Sequence, residues 1–232
     1  MSEAARLSPD RGGYEPATAF AEAPIPAGSK QGPVRVAVIG EFNSGKTSLV
    51  NSLLGAPVLP TSFTKHTAYP TVVRFAAKPS LSAEIADRKR VPIAWNCIDS
   101  APAQHIYRLH VGVPLDRLKT LRATDTPGLG LGDESREART LRACRSADTV
   151  IWCTPAMQAW KASEQRVWLS LPRALRRRGI LAVTFMDAIR SKTDASRLMA
   201  RLHGEAGQYF RKIVTVSAHG VLASSSGDTG HG

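Results

Sequence analysis

Gly40-Glu41-Phe42-Asn43-Ser44-Gly45-Lys46-Thr47 decides how this chain folds. Its spacing is G-x-x-x-x-G-K-[ST], a glycine-rich loop whose backbone N–H groups converge on phosphate oxygens. The flanking sequence is what such a loop requires. Val34-Arg35-Val36-Ala37-Val38-Ile39 is short, mostly apolar and β-branched, the pattern of a buried parallel strand. On the other side Leu49, Val50, Leu53 and Leu54 fall on one helical face, and Gly55 stands where a helix stops. Strand, loop and helix N-terminus together make an anion cradle. Gly40, Asn43, Ser44, Gly45 and Ser48 frame the phosphates, Lys46 reaches the β and γ oxygens, and Thr47 offers its hydroxyl to Mg²⁺.

The elements downstream narrow the chemistry. Leu121-Arg122-Ala123-Thr124 is a strand leading into Asp125-Thr126-Pro127-Gly128. Asp125 supports Mg²⁺ through water and the Gly128 N–H meets a γ-phosphate, so Leu129-Gly130-Leu131-Gly132 reads as a switch released when that phosphate is lost. Between the two motifs runs a threonine-rich loop, Leu59 to Thr71. Thr67, by its T-x-x-P spacing to Pro70, is the residue to close over Mg²⁺, with Thr64 the alternative. Residues 147–154 form another buried strand, 161–178 a helix, and Ile180-Leu181-Ala182-Val183 a strand ending in Thr184-Phe185-Met186-Asp187. There Asp187 can accept hydrogen bonds from guanine N1 and N2, which adenine cannot supply. Ile213-Val214-Thr215-Val216 leads into Ser217-Ala218, where the Ala218 N–H meets the guanine carbonyl. Repeated strand–loop–helix units predict an α/β fold with a doubly wound, mostly parallel sheet, helices on both faces and ligands at the strands' C-terminal ends, and with the motifs above the whole resembles a P-loop G domain.

Composition sets the boundaries. Residues 1–33 are rich in Ala, Pro and Gly and read as a flexible leader, and residues 219–232 as a disordered tail, leaving 34–218 as one domain. The chain carries 31 Lys and Arg against 19 Asp and Glu, a net charge of +12. Leader and tail are net acidic, so the excess lies on the domain, where it favours an acidic protein partner, an anionic membrane surface or, ranked lower, RNA. Arg136, Arg139, Arg142 and Arg145 make one basic ridge, and Arg173, Arg176, Arg177 and Arg178 a second at the end of the long helix. Trp160 and Trp168, eight apart, share a helical face that packs on the sheet. Cys97, Cys144 and Cys153 have no metal-type spacing, and neither His105 nor His110 completes a ligand set. No apolar run is long enough to span a bilayer, and no signal peptide opens the chain.

These motifs, in this order, resemble the GTPase domain of the dynamin superfamily and of its bacterial dynamin-like members in particular. The resemblance rests on Gly40 to Gly55, the threonine loop ending Thr67-Ala68-Tyr69-Pro70-Thr71, and the approach from Pro114-Leu115-Asp116 to Thr124-Asp125-Thr126-Pro127-Gly128-Leu129. Lys161-Ala162-Ser163-Glu164 is similar to a T-x-S-E helix start of that family. The resemblance implies GTP as substrate, GDP and phosphate as products, and Mg²⁺ as cofactor. Leu129 stands where Ras-like enzymes carry a water-orienting glutamine, so by analogy with the family Asn43 and Thr67 join Lys46 as catalytic residues. Phe185 replaces the lysine of the usual T-K-x-D, and stacking on guanine would take over from the lysine stem. The long flanking helices of the family's stalk have no counterpart here, so membrane fission by this chain alone is not expected.

The expectation is a cytoplasmic GTPase, slow alone, peripheral at the inner face of the membrane, and acting as a nucleotide-dependent switch. A homodimer through the nucleotide face would let an arginine reach the γ-phosphate in trans. Two alternatives stay open: a non-hydrolysing nucleotide-binding adaptor whose partner supplies the missing helices, and a ribosome- or RNA-associated GTPase.

Overall fold

The structure, a computed structural model, describes residues 32–61, 69–95, 106–130 and 134–217. Thr64, Thr67, Cys97, His105 and Ala218 lie outside the described residues, as do residues 1–31 and 218–232. In chain order the elements are β1 (Val34–Gly40), α1 (Lys46–Leu54), β2 (Thr71–Phe75), β3 (Ser80–Glu84), β4 (Arg90–Pro92), β5 (Arg108–Val113), β6 (Leu121–Asp125) and α2 (Glu134–Cys144). Then follow β7 (Thr149–Pro155), α3 (Ala162–Ser170), α4 (Arg173–Arg176), β8 (Ile180–Thr184), α5 (Lys192–Ala206) and β9 (Lys212–Thr215). They build a sheet of order β4-β3-β5-β2-β6-β1-β7-β8-β9. Strands β6, β1, β7, β8 and β9 run parallel, whereas β2 joins β6 antiparallel and carries β5, β3 and β4 as an outer extension. The α/β G-domain architecture is as the motifs predict.

Alternation along β1 divides the core into two layers. Val36 and Val38 face α1, meeting Leu49, Val50 and Leu53 together with Val73, Val111 and Ala123. Ala37 and Ile39 face the opposite side, where Cys144, Val167, Trp168, Leu175 and Leu202 bring α2 to α5 over β1, β7 and β8. A strand buried on both faces reads as a continuous apolar run, which is why β1, β7 and β8 were legible as strands. The outer strands β3, β4 and β5 were not read from the sequence, because each is short and mixes polar with apolar residues.

The structure corrects the single helix over residues 161–178. Pro172, which has no N–H to continue the ladder, parts it into α3 and the one-turn α4, with Leu171 in extended conformation between them. Arg173, Arg176, Arg177 and Arg178 therefore belong to a separate short turn rather than the end of a long helix. Trp160 is not on α3 either: it precedes the helix with φ 60°, and its N–H donates to Thr154 Oγ1 at 3.0 Å. Both tryptophans are nonetheless buried, meeting Trp152 edge-on at 6.2 and 6.0 Å, with Phe210 stacked on Trp168 at 4.3 Å. Cys144 and Cys153 are buried thiols, both pushed up to about 12 by burial. Among the described residues, no helix is long and apolar enough to cross a membrane, and no cluster of three or more His, Cys, Asp or Glu side chains is placed to hold a metal.

Beneath the aromatic cluster lies one buried carboxylate. Glu164, 1 % exposed, accepts from Trp152 Nε1 at 2.8 Å, Thr154 Oγ1 at 3.0 Å and the Lys161 N–H at 2.8 Å. Burial pushes its pKa up, and those donors oppose the shift by favouring the ionised form. Glu164→Ala leaves several buried donors unpaired. It is expected to destabilise the domain by about 3 kcal/mol. Tm in thermal melts should fall by about 8 °C, with a smaller drop for Glu164→Gln.

Candidate phosphate-binding site

The site is assembled where β1 ends. Gly40 pairs with Cys153 of β7, and its φ of 151° lies outside the range of ordinary side chains. A Cβ there would stand 2.2 Å from the Cys153 carbonyl oxygen, so only glycine lets the chain leave β1 at this point. Beyond it, the loop is fastened on two sides. The Leu129 N–H donates to Gly40 O and the Phe42 N–H to Leu129 O, both at 3.1 Å, so the residue after the D-T-P-G stretch is zipped to the loop's first half. Gly128 permits that approach, since a Cβ on it would lie 2.8 Å from Phe42 Cα. From β8, the buried Thr184 hydroxyl donates to Ser44 O at 2.8 Å and holds the second half.

Inside this frame sits a cation. Lys46 is buried, its Nζ donating to Glu41 O at 2.6 Å and lying 3.5 Å from Ser44 Oγ. Burial lowers its pKa, opposed chiefly by the negative charge of the nearby Asp125 carboxylate. Next to it Thr47 Oγ1 donates to Asp125 Oδ2 at 2.8 Å, joining the start of α1 to the end of β6. A hydroxyl and a carboxylate converging beside a buried ammonium are hard oxygen donors, the set that suits Mg²⁺ carried with phosphates. The residues present fit that ion.

A family model for the dynamin family matches residues 36–187. The chain belongs to the dynamin family. It is 26 % identical over 189 residues to dynamin-like protein 2 of Campylobacter jejuni, a match covering 79 % of this chain and 31 % of that protein. It is 32 % identical over 126 residues to the isoniazid-induced protein IniC of Mycobacterium tuberculosis, covering 51 % of this chain and 25 % of the relative. The chain thus spans a third or less of the length of these relatives. Among solved structures, an oligomerised bacterial dynamin pair described as sensing and tethering membranes matches at TM-score 0.58 and 25 % identity, over 79 % of this chain and 31 % of that one. The Aquifex aeolicus GTPase Era matches at TM-score 0.52 and 18 % identity over 82 % of this chain and 53 % of that one, a likeness of fold alone.

Against the dynamin-family pattern, the predicted site residues fall into two groups. Gly40, Ser44, Gly45, Lys46, Thr47, Asp125 and Gly128 form the frame just described. Asn43, exposed with φ 57°, stands at the crest of the loop, and Ser48 is exposed on the first turn of α1. The second group lies beside it. Phe185, Met186 and Asp187 follow β8, with Phe185 at φ 56° and Asp187 exposed. Met186 N–H donates to Val216 O at 3.3 Å, which sets Ser217, itself buried, beside this loop. The Phe185 ring lies against the phosphate loop: a Cβ on Gly45 would be 3.4 Å from it. Thr184 is turned inward onto Ser44, so in this fold it positions the loop.

One connection was not read from the sequence. Glu41 forms an ion pair with Lys161, and its Oε1 accepts from Ser163 Oγ at 3.0 Å. The loop is thereby tied to the start of α3. The signal was present in Lys161-Ala162-Ser163-Glu164, singled out only as a helix start; nothing local in sequence points it at a residue more than a hundred positions earlier.

Thr184→Val removes the donor that holds the loop's second half. It is expected to cost about 1–2 kcal/mol. The loss should appear as faster amide hydrogen exchange at residues 44–46, with exchange in β6 unchanged.

Proposed function

We propose that this dynamin-family chain is a GTPase, converting GTP and water to GDP and phosphate as a nucleotide-dependent switch. The observation that carries the reading is the buried Lys46 beside the Thr47–Asp125 pair, framed by a loop fastened to β7, β8 and Leu129. Burying an ammonium is expensive unless an anion meets it, and triphosphate oxygens are the anion this frame admits. Lys46 holds the β- and γ-phosphate oxygens, loop amides from Asn43 to Thr47 surround them, and the Gly128 N–H faces the γ-phosphate. Mg²⁺, held by Thr47 with Asp125 behind it, neutralises charge on the phosphate oxygens when bound. Thr67, outside the described residues, is proposed to complete the site from the threonine loop, and Asn43 to help place the attacking water.

Base selection falls to the second group. Asp187 accepts from guanine N1–H and N2–H, Ser217 and Ala218 close the far edge, and Phe185 supplies the apolar face that a lysine stem supplies elsewhere. Support for Phe185 comes from its place against Gly45 of the phosphate loop. The zip between Leu129 and the loop gives the switch a physical form: two hydrogen bonds tie the residue after Gly128 to Gly40 and Phe42 of the phosphate loop. We further propose that residues 34–218 act as one domain, working in the cytoplasm and at the inner face of the membrane. Pairing through the nucleotide face, in keeping with the oligomerised bacterial dynamin pair it resembles, is the proposed homodimer.

The test is phosphate release and nucleotide binding on the purified chain with Mg²⁺, comparing GTP, GDP and ATP. GTP at a hundred times its Kd is expected to raise Tm by about 5–10 °C, with Lys46→Ala abolishing both that shift and phosphate release. Tight binding with no turnover at any protein concentration would replace the GTPase by a non-hydrolysing adaptor. Equal competition by ATP would remove the guanine assignment.

A further inference from the structure

The outer half of the sheet carries a charge arrangement that the nucleotide site does not use. Arg35 on β1 pairs in register with Arg122 on β6. The β2–β6 ladder runs Thr71↔Asp125, Val72↔Thr124, Val73↔Ala123, and its next step brings Arg74 beside Arg122. Residues opposite one another on neighbouring strands project from the same face. Arg35, Arg122 and Arg74 therefore stand in a row across three strands, on the face away from α1.

Such a row is unfavourable on its own. Like charges directly opposite on neighbouring strands repel. Among the described residues only Arg35 is compensated, by a two-pronged pair with Asp148 (Nε–Oδ2 3.1 Å, Nη2–Oδ1 2.8 Å). The Nε atoms of Arg74 and Arg122 are buried and have no hydrogen-bond partner among the described residues. Arg122 is held below the ordinary arginine range by burial, then by Arg74, Arg35 and Arg90. The nearest carboxylate of the outer strands, Glu84, is already engaged by His110 at 2.8 Å and Arg108 at 3.7 Å. The helices of this face gather over β1, β7 and β8, and α2 also reaches Pro127 after β6 and Tyr69 before β2, at the ends of those strands away from Arg122 and Arg74. On β1 the row continues into Ala37 and Ile39, ordinary core residues, so the face does not demand cations.

We propose that Arg122 and Arg74 form a docking site for an acidic helix of a partner protein, with Arg35 and its Asp148 marking the closed end. The spacing selects this occupant. Adjacent strands lie about 4.8 Å apart. Carboxylates one helical turn apart stand about 5–6 Å from each other. A helix crossing the strands thus sets one carboxylate over each guanidinium, and each planar fork takes a carboxylate in bidentate fashion. A bilayer is a flat surface that engages exposed tips, whereas these guanidinia are partly sunk between neighbours. The site lies apart from the phosphate loop, and its occupancy does not depend on the nucleotide reading.

The experiment is fluorescence anisotropy on the full chain with a labelled, alanine-rich helical peptide bearing glutamates four residues apart. The probes for comparison are its lysine counterpart, phosphatidylglycerol vesicles and single-stranded RNA. The glutamate peptide is expected to bind, about tenfold more weakly to the R74Q/R122Q double variant. The R173Q/R177Q variant, altered in the α4 cluster, should bind as the parent does. Salt should weaken the interaction. Thermal melts separate a docking role from a structural one: relieving repulsion, Arg122→Gln should raise the Tm of the free chain by about 2 °C. Absence of peptide binding, equal binding by R74Q/R122Q, or a lowered Tm in Arg122→Gln would each overturn the proposal. So would vesicle or RNA binding that is lost in R74Q/R122Q while the peptide is ignored.

Discussion

The pairing of Gly40 with Cys153 constrains everything around the site. With no room for a Cβ at Gly40, β1 must release the chain at the level where β7 is still paired, and the loop that follows is set between two neighbouring parallel strands. Thr184, Leu129 and Glu41 then fasten it from three directions. Lys46 is buried because the loop is fastened in this way. A loose loop would let the ammonium reach water, and its affinity for an anion would fall accordingly. Preorganisation of this kind lowers what ordering the loop costs on binding.

Polar groups behind the loop carry the constraint into the core. Thr154, at the end of β7, accepts from the Trp160 N–H, donates to Glu164 and lies 3.3 Å from the Thr184 hydroxyl. Glu164 in turn caps α3, whose first residues reach Glu41 in the loop. Phosphate loop, base-side loop and α3 thus share one chain of hydrogen bonds, with the tryptophan cluster packed beneath it. Two of the non-glycine residues at positive φ, Asn43 and Phe185, lie in the two loops that it joins. Backbone strain held there is what a preformed recognition site stores.

Much of this was legible in the sequence, and unevenly so. Strands β1, β6, β7 and β8 and the frame residues Gly40, Lys46, Thr47 and Asp125 could be read because local pattern and local chemistry coincide there. The break at Pro172 was readable in principle, but the apolar spacing on both sides masked it. The outer strands escaped because strands of three to six residues that mix polar with apolar positions leave no clear period. The Glu41–Lys161 pair and the arginine row share a deeper reason. Each joins residues from distant stretches, and only the strand order β2-β6-β1 makes Arg74, Arg122 and Arg35 neighbours. The sequence clusters of arginine, by contrast, fall on α2 and around α4, where the chain presents them separately.

Family membership places this chain with relatives of which it matches a third or less, so the domain's own chemistry is the part open to direct test. The central claim is that the loop after β8 reads guanine through Asp187. The decisive measurement is competitive nucleotide binding by Asp187→Asn, using GTP and XTP. An aspartate accepts from guanine N1–H and N2–H, whereas an asparagine amide can donate to the xanthine oxygen that replaces the amino group. The account predicts that the variant loses GTP by about a hundredfold and gains XTP. Unchanged GTP affinity in Asp187→Asn, with no gain for XTP, would contradict it.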